Sequence, residues 1–349
     1  MKFYAVLGVT MKFSVGYQLR QDNSLITAIR DNSDRIGEVY FAWQGVPNGR
    51  NSRNLTSNLN KFECWQLQEK QLNEITQLGI PLNLLLNAAC YGKNSQSRQF
   101  FNNLGDTVEY LSEKFSLTSI TTTSPLIAKF FKQNFEDIHV RASVNMEIGT
   151  TVGMDYLAEY FDSFYLKRDL NRNFTAIKKI RQWCDKNNKK LYVLANSGCL
   201  NYCSSHIFHD NLVAHEDEIS QMDNAYEFEG QCRIYLKSEE KRKHWLHITN
   251  FIRPEDIGLY EGLFDGIKLA TRVNRNPRRV IDAYAKAKFS GNLPELLEPD
   301  HSALFYPYVV ENKKIPDDFA IVTGNCNKDC GNCGYCEKVL QNSLVSLEN

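Results

Sequence analysis

No run in this sequence approaches the roughly 18 consecutive apolar residues that a membrane-spanning helix needs. Charge of neither sign is in excess: 41 Lys and Arg balance 41 Asp and Glu, so no global field draws the protein to nucleic acid or to an anionic membrane. An RNA or protein partner would have to be met by a local patch. Hydrolytic signatures are missing too. The chain has no H-E-x-x-H metal site, no G-x-S-x-G elbow and no convincing serine triad, although a triad assembled from distant residues is invisible to spacing. No internal repeat or low-complexity tract is evident. The opening MKFYAVLGVTMKFSVGYQL carries only a brief apolar stretch, broken at Lys12, with no small-residue cleavage site. No secretory signal is expected, and the cytoplasm is the expected compartment.

Cysteine, in contrast, is plentiful. Ten cysteines in 349 residues, with no secretion signal, argue for metal or redox chemistry rather than a disulfide framework. Short β-branched and aromatic runs alternate with segments of helical period, the pattern of βα units around a parallel sheet. Strands are expected at 12–17, 38–43, 81–86, 119–123, 139–144, 163–166, 190–195, 245–249 and 266–269. Nine candidates suit an α/β fold of TIM-like (β/α) barrel type, with one false or extra strand. A helix is expected over 174–185, where Ile177, Ile180 and Trp183 recur on one face. Pro254 and Glu255 suit a helix start. The polar stretch 204–243 reads as an elaborated rim loop, and prolines at 294, 299, 307 and 316 break any long helix near the end. The expected division is a barrel over 1–300 and a short cysteine-rich, cluster-binding tail over 301–349.

Two cysteine constellations carry chemistry. NCNKDCGNCGYCEK supplies Cys326, Cys330, Cys333 and Cys336, with Gly331 and Gly334 between them. Four thiolates from one short loop fit a 4Fe–4S cluster or a structural zinc, and the glycines allow tight wrapping. The same segment has the C-x-x-x-C-x-x-C spacing of radical S-adenosylmethionine enzymes. There the motif extends the first strand, whereas here it follows the last.

The second constellation, LYVLANSGCLNYCSSHIFHDN, ends a β-run and at once delivers Cys199, Cys203, His206 and His209. Strand ends of this kind point into a barrel's mouth. Cys232 shares the rim loop, and Cys90, ending another strand, could join a mouth site or be a buried small residue. Cys64 and Cys184 read as structural. His206 and His209, three apart, share one face if helical, as ligand, proton donor or substrate contact. Lys167 and Arg168 follow one strand, and Lys268 and Arg272 stand at and beyond another. Cations so placed suit carboxylate or phosphate, or plain surface salt bridges. Arg141, inside a strand, needs a polar barrel interior or a partner.

FYLKRDLNRNFTAIKKI, KLYVLANSGCLNYCSSHIFHDN and FIRPEDIGLYEGLFDGIKLATR resemble successive blocks of the collagenase-like peptidase family U-32, in order over roughly residues 10 to 300. The resemblance implies a β/α barrel that holds a 4Fe–4S cluster through cysteines of its mouth. Several members resemble oxygen-independent hydroxylation proteins, acting on RNA bases or ubiquinone precursors, some with prephenate as oxygen donor. The cysteine spacing departs from the family's, with three residues between Cys199 and Cys203 and a long gap to Cys232, which leaves the fourth ligand open.

Three functions are therefore carried forward. One is an iron-sulfur modification enzyme with Arg168, His206, His209, Lys268 and Arg272 around the substrate. Another is a peptidase, as the family name says. The last is a non-enzymatic electron-transfer or assembly subunit.

Overall fold

Successive residues of a strand face opposite ways, and here the two sides differ in character. Phe13, Val15, Val39, Phe41, Leu82, Leu84, Ile120, Val140, Phe164, Leu191, Val193 and Ile267 belong to a buried apolar core, whereas Ser14, Glu38, Thr121, Arg141 and Ser163 alternate with them and are buried and polar. The computed structural model, which describes residues 11–50 and 58–348, shows why. The strands β1 (Phe13–Gly16), β2 (Ile36–Phe41), β3 (Leu82–Leu86), β4 (Leu117–Thr122), β5 (His139–Ala142), β6 (Ser163–Tyr165), β7 (Lys190–Leu194) and β8 (Gly266–Leu269) run parallel in chain order. β8 returns to β1 and closes the barrel. Apolar faces pack outward under the helices, and the polar faces meet one another in the lumen.

That lumen is an unusually charged one for a barrel, whose interior is ordinarily filled by branched apolar residues. Arg141 pairs with Glu38, and Ser14 Oγ donates to Glu38 at 2.8 Å. The Arg141 guanidinium also lies 3.8 Å from the Tyr192 ring centroid. The polar interior that Arg141 requires is thus present. Gly16 is obligatory for this packing, since a Cβ there would stand 2.7 Å from both Arg272 Cγ and the Tyr40 ring.

Around the sheet lie α1 (Ser24–Asp31), α2 (Lys61–Gln77), α3 (Arg98–Lys114), α4 (Pro125–Asn134), α5 (Thr151–Asp155) and α6 (Phe174–Lys186). In α6 the Asn173 side chain accepts from the Ala176 amide at 3.0 Å, an N-cap that satisfies one of the free first-turn donors. Ile177, Ile180 and Cys184 then recur at helical spacing and are buried, and the helix stops where Asn188 turns left-handed at φ 54°. Cys64 and Cys184 are both buried helix residues, in keeping with structural roles.

The expected strand over 245–249 is instead a helical turn, Trp245–Ile248. Its aromatic and β-branched composition serves burial rather than pairing. Trp245 is fully buried with ring centroids 5.3 Å from Phe251 and 5.4 Å from Phe305, and its Nε1 donates to His301 Nδ1 at 3.3 Å. The rim loop contains α7 (His206–Ala214) and the short helices Glu216–Ile219, Gln231–Lys237 and Glu239–Arg242. Across these four, Leu236 is the buried position, which is why no apolar period marks them in the sequence. Pro254 opens a 3-10 stretch, Pro254–Tyr260.

The segment after residue 300 is bound into the barrel's own core through Phe305, Val310, Ile315, Phe319, Val339 and Leu340. Strands Tyr308–Val310 and Leu344–Ser346 pair antiparallel, bracketing the cysteine segment. Arg253, bidentate to Asp256, also donates to the carbonyls of Ile315 and Pro316 at 3.2 and 3.0 Å. No helix among the described residues is long and apolar enough to cross a membrane. The stretch bearing on a secretory signal begins outside the described residues.

Candidate active site at the barrel mouth

The C-terminal ends of β5, β6 and β7 deliver one cavity of about 290 Å³. Its walls include Glu147 from the β5 loop, Lys167, Arg168 and Asp169 from the β6 loop, and Cys199, Cys203 and His206 from the β7 loop. A barrel collects side chains from successive strand ends in this way.

Arg168 organises the cavity. Sited in the turn directly after β6, it donates to Glu147 Oε1 at 2.8 Å, to Asn145 Oδ1 at 2.7 Å and to His206 Nε2 at 2.6 Å. A guanidinium can only donate, so His206 Nε2 accepts and its proton sits on Nδ1, which faces Asp210 at 3.7 Å. Burial and then Arg168 lower the His206 pKa, keeping the ring neutral. Glu147 reaches its cations from a left-handed backbone at φ 53°, strained for a side chain other than glycine. It also lies 3.4 Å from Lys167 Nζ. Lys167 is therefore ion-paired at the mouth rather than free, with Asp169 at 3.0 Å as well. Asp169 in turn accepts from the Tyr202 amide at 3.1 Å, tying the cysteine loop to the β6 loop.

The thiols are arranged around this ion-pair system. Cys199 and Cys203 line the cavity; Cys232, on the neighbouring rim helix, is not part of its wall, and burial and then the charge of Cys199 push its thiol up to about 11. Burial raises the Cys199 thiol too, opposed by Arg168 and Arg50. Cys232 and His209 both lie against Gly230, where a Cβ would stand 3.7 Å from Cys232 Sγ and 4.0 Å from His209 Cε1, ordinary contact distances. His209, on α7 with His206, stacks at 5.3 Å against Phe228, and burial and then Arg50 lower its pKa. Cys90 has a different partner. It hydrogen-bonds with His215 and the Gly92 amide, which lower its thiol pKa, and it does not line the cavity.

Lys268 and Arg272 also stand apart from the cavity wall. Lys268 occupies the lumen with its Nζ 4.0 Å from the Tyr40 ring centroid. Burial and the neighbouring Arg272 bring its pKa down to about 7. Arg272 is buried and donates to Asn48 Oδ1 at 2.8 Å and to the Arg50 carbonyl. It holds the loop after β2, where an open mouth cation was expected. That loop presents Arg50, ion-paired with Glu298 at 2.7 Å. Sequence spacing gave no sign of Arg50, Glu298, Glu147 or Asn145 as site residues, because each belongs to a loop far away in the chain.

Two thiols in one wall with the Arg168 guanidinium are soft, anion-forming donors in a cationic surround, of the chemistry suited to a thiolate-held group. Among the described residues no three His, Cys, Asp or Glu are gathered tightly enough to hold a metal ion. Cys199 and Cys203, with Cys232 and His209 from the rim loop, are the residues that would hold such a group.

No family model matches the chain. It is 26% identical over 280 residues to an uncharacterized protease of Methanocaldococcus jannaschii, covering 79% of this chain and 80% of that one. A solved U32 peptidase shares the fold with a TM-score of 0.54 at 14% identity, over 77% of this chain and 95% of that chain. Likeness in sequence along most of a protease and a barrel shared with a solved U32 peptidase agree with the resemblance of the blocks at 164–180, 190–211 and 251–272 to the U32 peptidases.

Proposed function

We propose that this protein is an iron-sulfur-dependent modification enzyme that hydroxylates, without molecular oxygen, an RNA base or a small biosynthetic substrate at the barrel mouth. The observation that carries the reading is one cavity wall that holds Cys199 and Cys203 together with Lys167, Arg168 and His206. A 4Fe–4S cluster held there would supply one-electron chemistry. The chain's own residues do the rest. Arg168 and Lys167 can exchange Glu147 for the carboxylates of an anionic oxygen donor such as prephenate, since bidentate guanidinium pairing suits that geometry. His206, held in the Nδ1–H form by Arg168, presents that N–H as a donor on the cavity wall. A cytoplasmic location fits a centre of this kind, and a protein or RNA partner would engage a local patch on the rim.

The name of the M. jannaschii relative favours a second reading, a peptidase. A serine–histidine hydrogen bond does exist, Ser163 Oγ to His139 Nε2 at 2.8 Å, but Ser163 is fully buried in the barrel wall, where no peptide reaches it.

Purification without oxygen, followed by iron, sulfide and zinc analysis, tests the proposal. The parent should be brown with acid-labile sulfide, and Cys199→Ser should lose mouth iron and all formation of hydroxylated product as followed by mass spectrometry. Full product formation by Cys199→Ser would refute the mouth cluster. Peptide cleavage by metal-free protein would establish the second reading instead.

A further inference from the structure

Away from the mouth, a second pocket of about 50 Å³ is lined by Cys326, Cys330, Cys333 and Cys336, with His247 on its barrel side. Two cations are set against it. Arg172 is 3% exposed, lies against the rings of Phe251 and Phe319, and donates to the Leu246 carbonyl at 2.7 Å, the Thr249 carbonyl and Asn250 Oδ1. Its Nη1 has no hydrogen-bond partner, and no carboxylate forms an ion pair with it among the described residues. A buried cation left this way is costly unless an anion comes to it. Of the groups whose negative charge would favour the guanidinium, Cys336 stands first, ahead of Tyr260 and Asp256, and Cys326 follows. The second cation, Lys328, turns through a left-handed backbone at φ 63° and donates to the Arg172 carbonyl at 2.7 Å, beside Cys326. Gly334 takes a left-handed turn at φ 65° within this loop, and space is open beside Gly331, where a Cβ would meet nothing within 4 Å.

We propose that the four tail thiols form a tetrathiolate metal centre, a four-iron cluster or zinc, whose counter-charge is the buried Arg172 guanidinium assisted by Lys328. As each sulfur–metal bond forms, that thiol loses its proton to solvent. Four thiolates around a zinc dication, or around a four-iron core of the same charge, leave about two net negative charges, which Arg172 and Lys328 match. The unpartnered Nη1 and the convergence of four cysteines thus explain each other. This centre is independent of the mouth reading.

A chain with Cys199, Cys203 and Cys232 all changed to Ser isolates the tail. Reconstituted anaerobically with iron and sulfide, it should hold about four iron and four sulfide per chain, or about one zinc when zinc alone is supplied. Adding Cys330→Ser and Cys333→Ser should abolish both. Cobalt(II), whose thiolate charge-transfer band reports binding, then gauges the counter-charge. Arg172→Met should weaken cobalt binding about tenfold or more, and Arg172→Lys should restore most of it. Because Arg172 also braces 246–250, Lys328→Met serves as the second variant and should weaken binding several-fold. A mouth-less chain that is folded by circular dichroism yet takes up neither iron-sulfide nor zinc would overturn the centre. Unchanged cobalt affinity in folded Arg172→Met and Lys328→Met would overturn the counter-charge.

Discussion

Arg141 and Glu38 stand 103 residues apart in the chain and meet inside the barrel, where Arg141 Nη2 donates to Glu38 Oε2 at 3.1 Å. Arg141 is 2% exposed and Glu38 8%, so neither charge can turn to water if the other is lost. Despite burial, the Glu38 carboxyl is held below its ordinary pKa by the Arg141 charge and hydrogen bonds.

Breaking this pair from one side should therefore be far worse than replacing it whole. Arg141→Met is expected to cost about 3 to 5 kcal/mol, and the double change with Glu38→Leu should recover a large part of that loss. Urea unfolding of the two singles and the double measures it. A cost under about 1 kcal/mol for Arg141→Met would show that water or another base reaches the lumen.

Stability should also fall in acid through a buried histidine. His301 is 1% exposed, and burial draws its pKa down to about 4 from an ordinary 6.5. Between those values the unfolded chain binds a proton that the folded chain refuses, so the folded state is favoured above the window and loses ground as pH falls through it. The loss is on the order of 3 kcal/mol by linkage. His301→Gln, which can still accept from Trp245 Nε1, should flatten that part of the unfolding free energy against pH. His139, also lowered to about 4, leaves a remaining slope. An unchanged profile would exclude His301 as the source.

At the mouth, Arg168 and His206 can be separated by titration. Burial and then Arg168 hold the imidazole below its ordinary pKa, so Arg168→Gln should raise the His206 pKa in nuclear magnetic resonance spectra of metal-free protein. A downward shift would mean that the cation stabilises the imidazole in some other protonation state.

Thiol labelling distinguishes the two candidates for the fourth mouth ligand. The His215 hydrogen bond lowers the Cys90 thiol pKa, and thiolate character governs alkylation. In metal-free protein Cys90 should react before the buried Cys64 and Cys184, and His215→Gln should slow it several-fold. Protection of Cys90 on loading with iron and sulfide would assign it to the mouth centre. Unprotected labelling would leave the position to His209 or solvent.

The barrel was legible because short β-branched, aromatic or leucine-rich runs alternate with segments of helical period along the chain. The failure at 245–249 has the same origin. Trp, Leu, Ile and Thr satisfy strand propensity equally well when they are there to be buried, and only Trp245's place between Phe251 and Phe305 decides for a helical turn. Among site residues, cysteines and strand-end cations stand out by type. Arg141 signalled itself by a charge inside a strand, yet its partner Glu38 did not, since pairing across 103 residues leaves no local mark. Glu147, Arg50 and Glu298 are hidden for the same reason. Lys268 and Arg272 were found by type but misplaced in depth, because a position near a strand end fixes direction only to within one residue of the lumen or the rim.

One stretch of backbone does double duty. His247 lines the tail pocket, while Asn250, three residues on, lines the mouth cavity and joins Arg172 to the Asp169 carbonyl. The two cysteine-lined pockets are thus joined through one short backbone segment, 247–250. Genetic dissection inherits that geometry. A substitution at His247 or Asn250 can therefore be felt in both pockets, and its phenotype should be assigned to one of them only after both have been assayed.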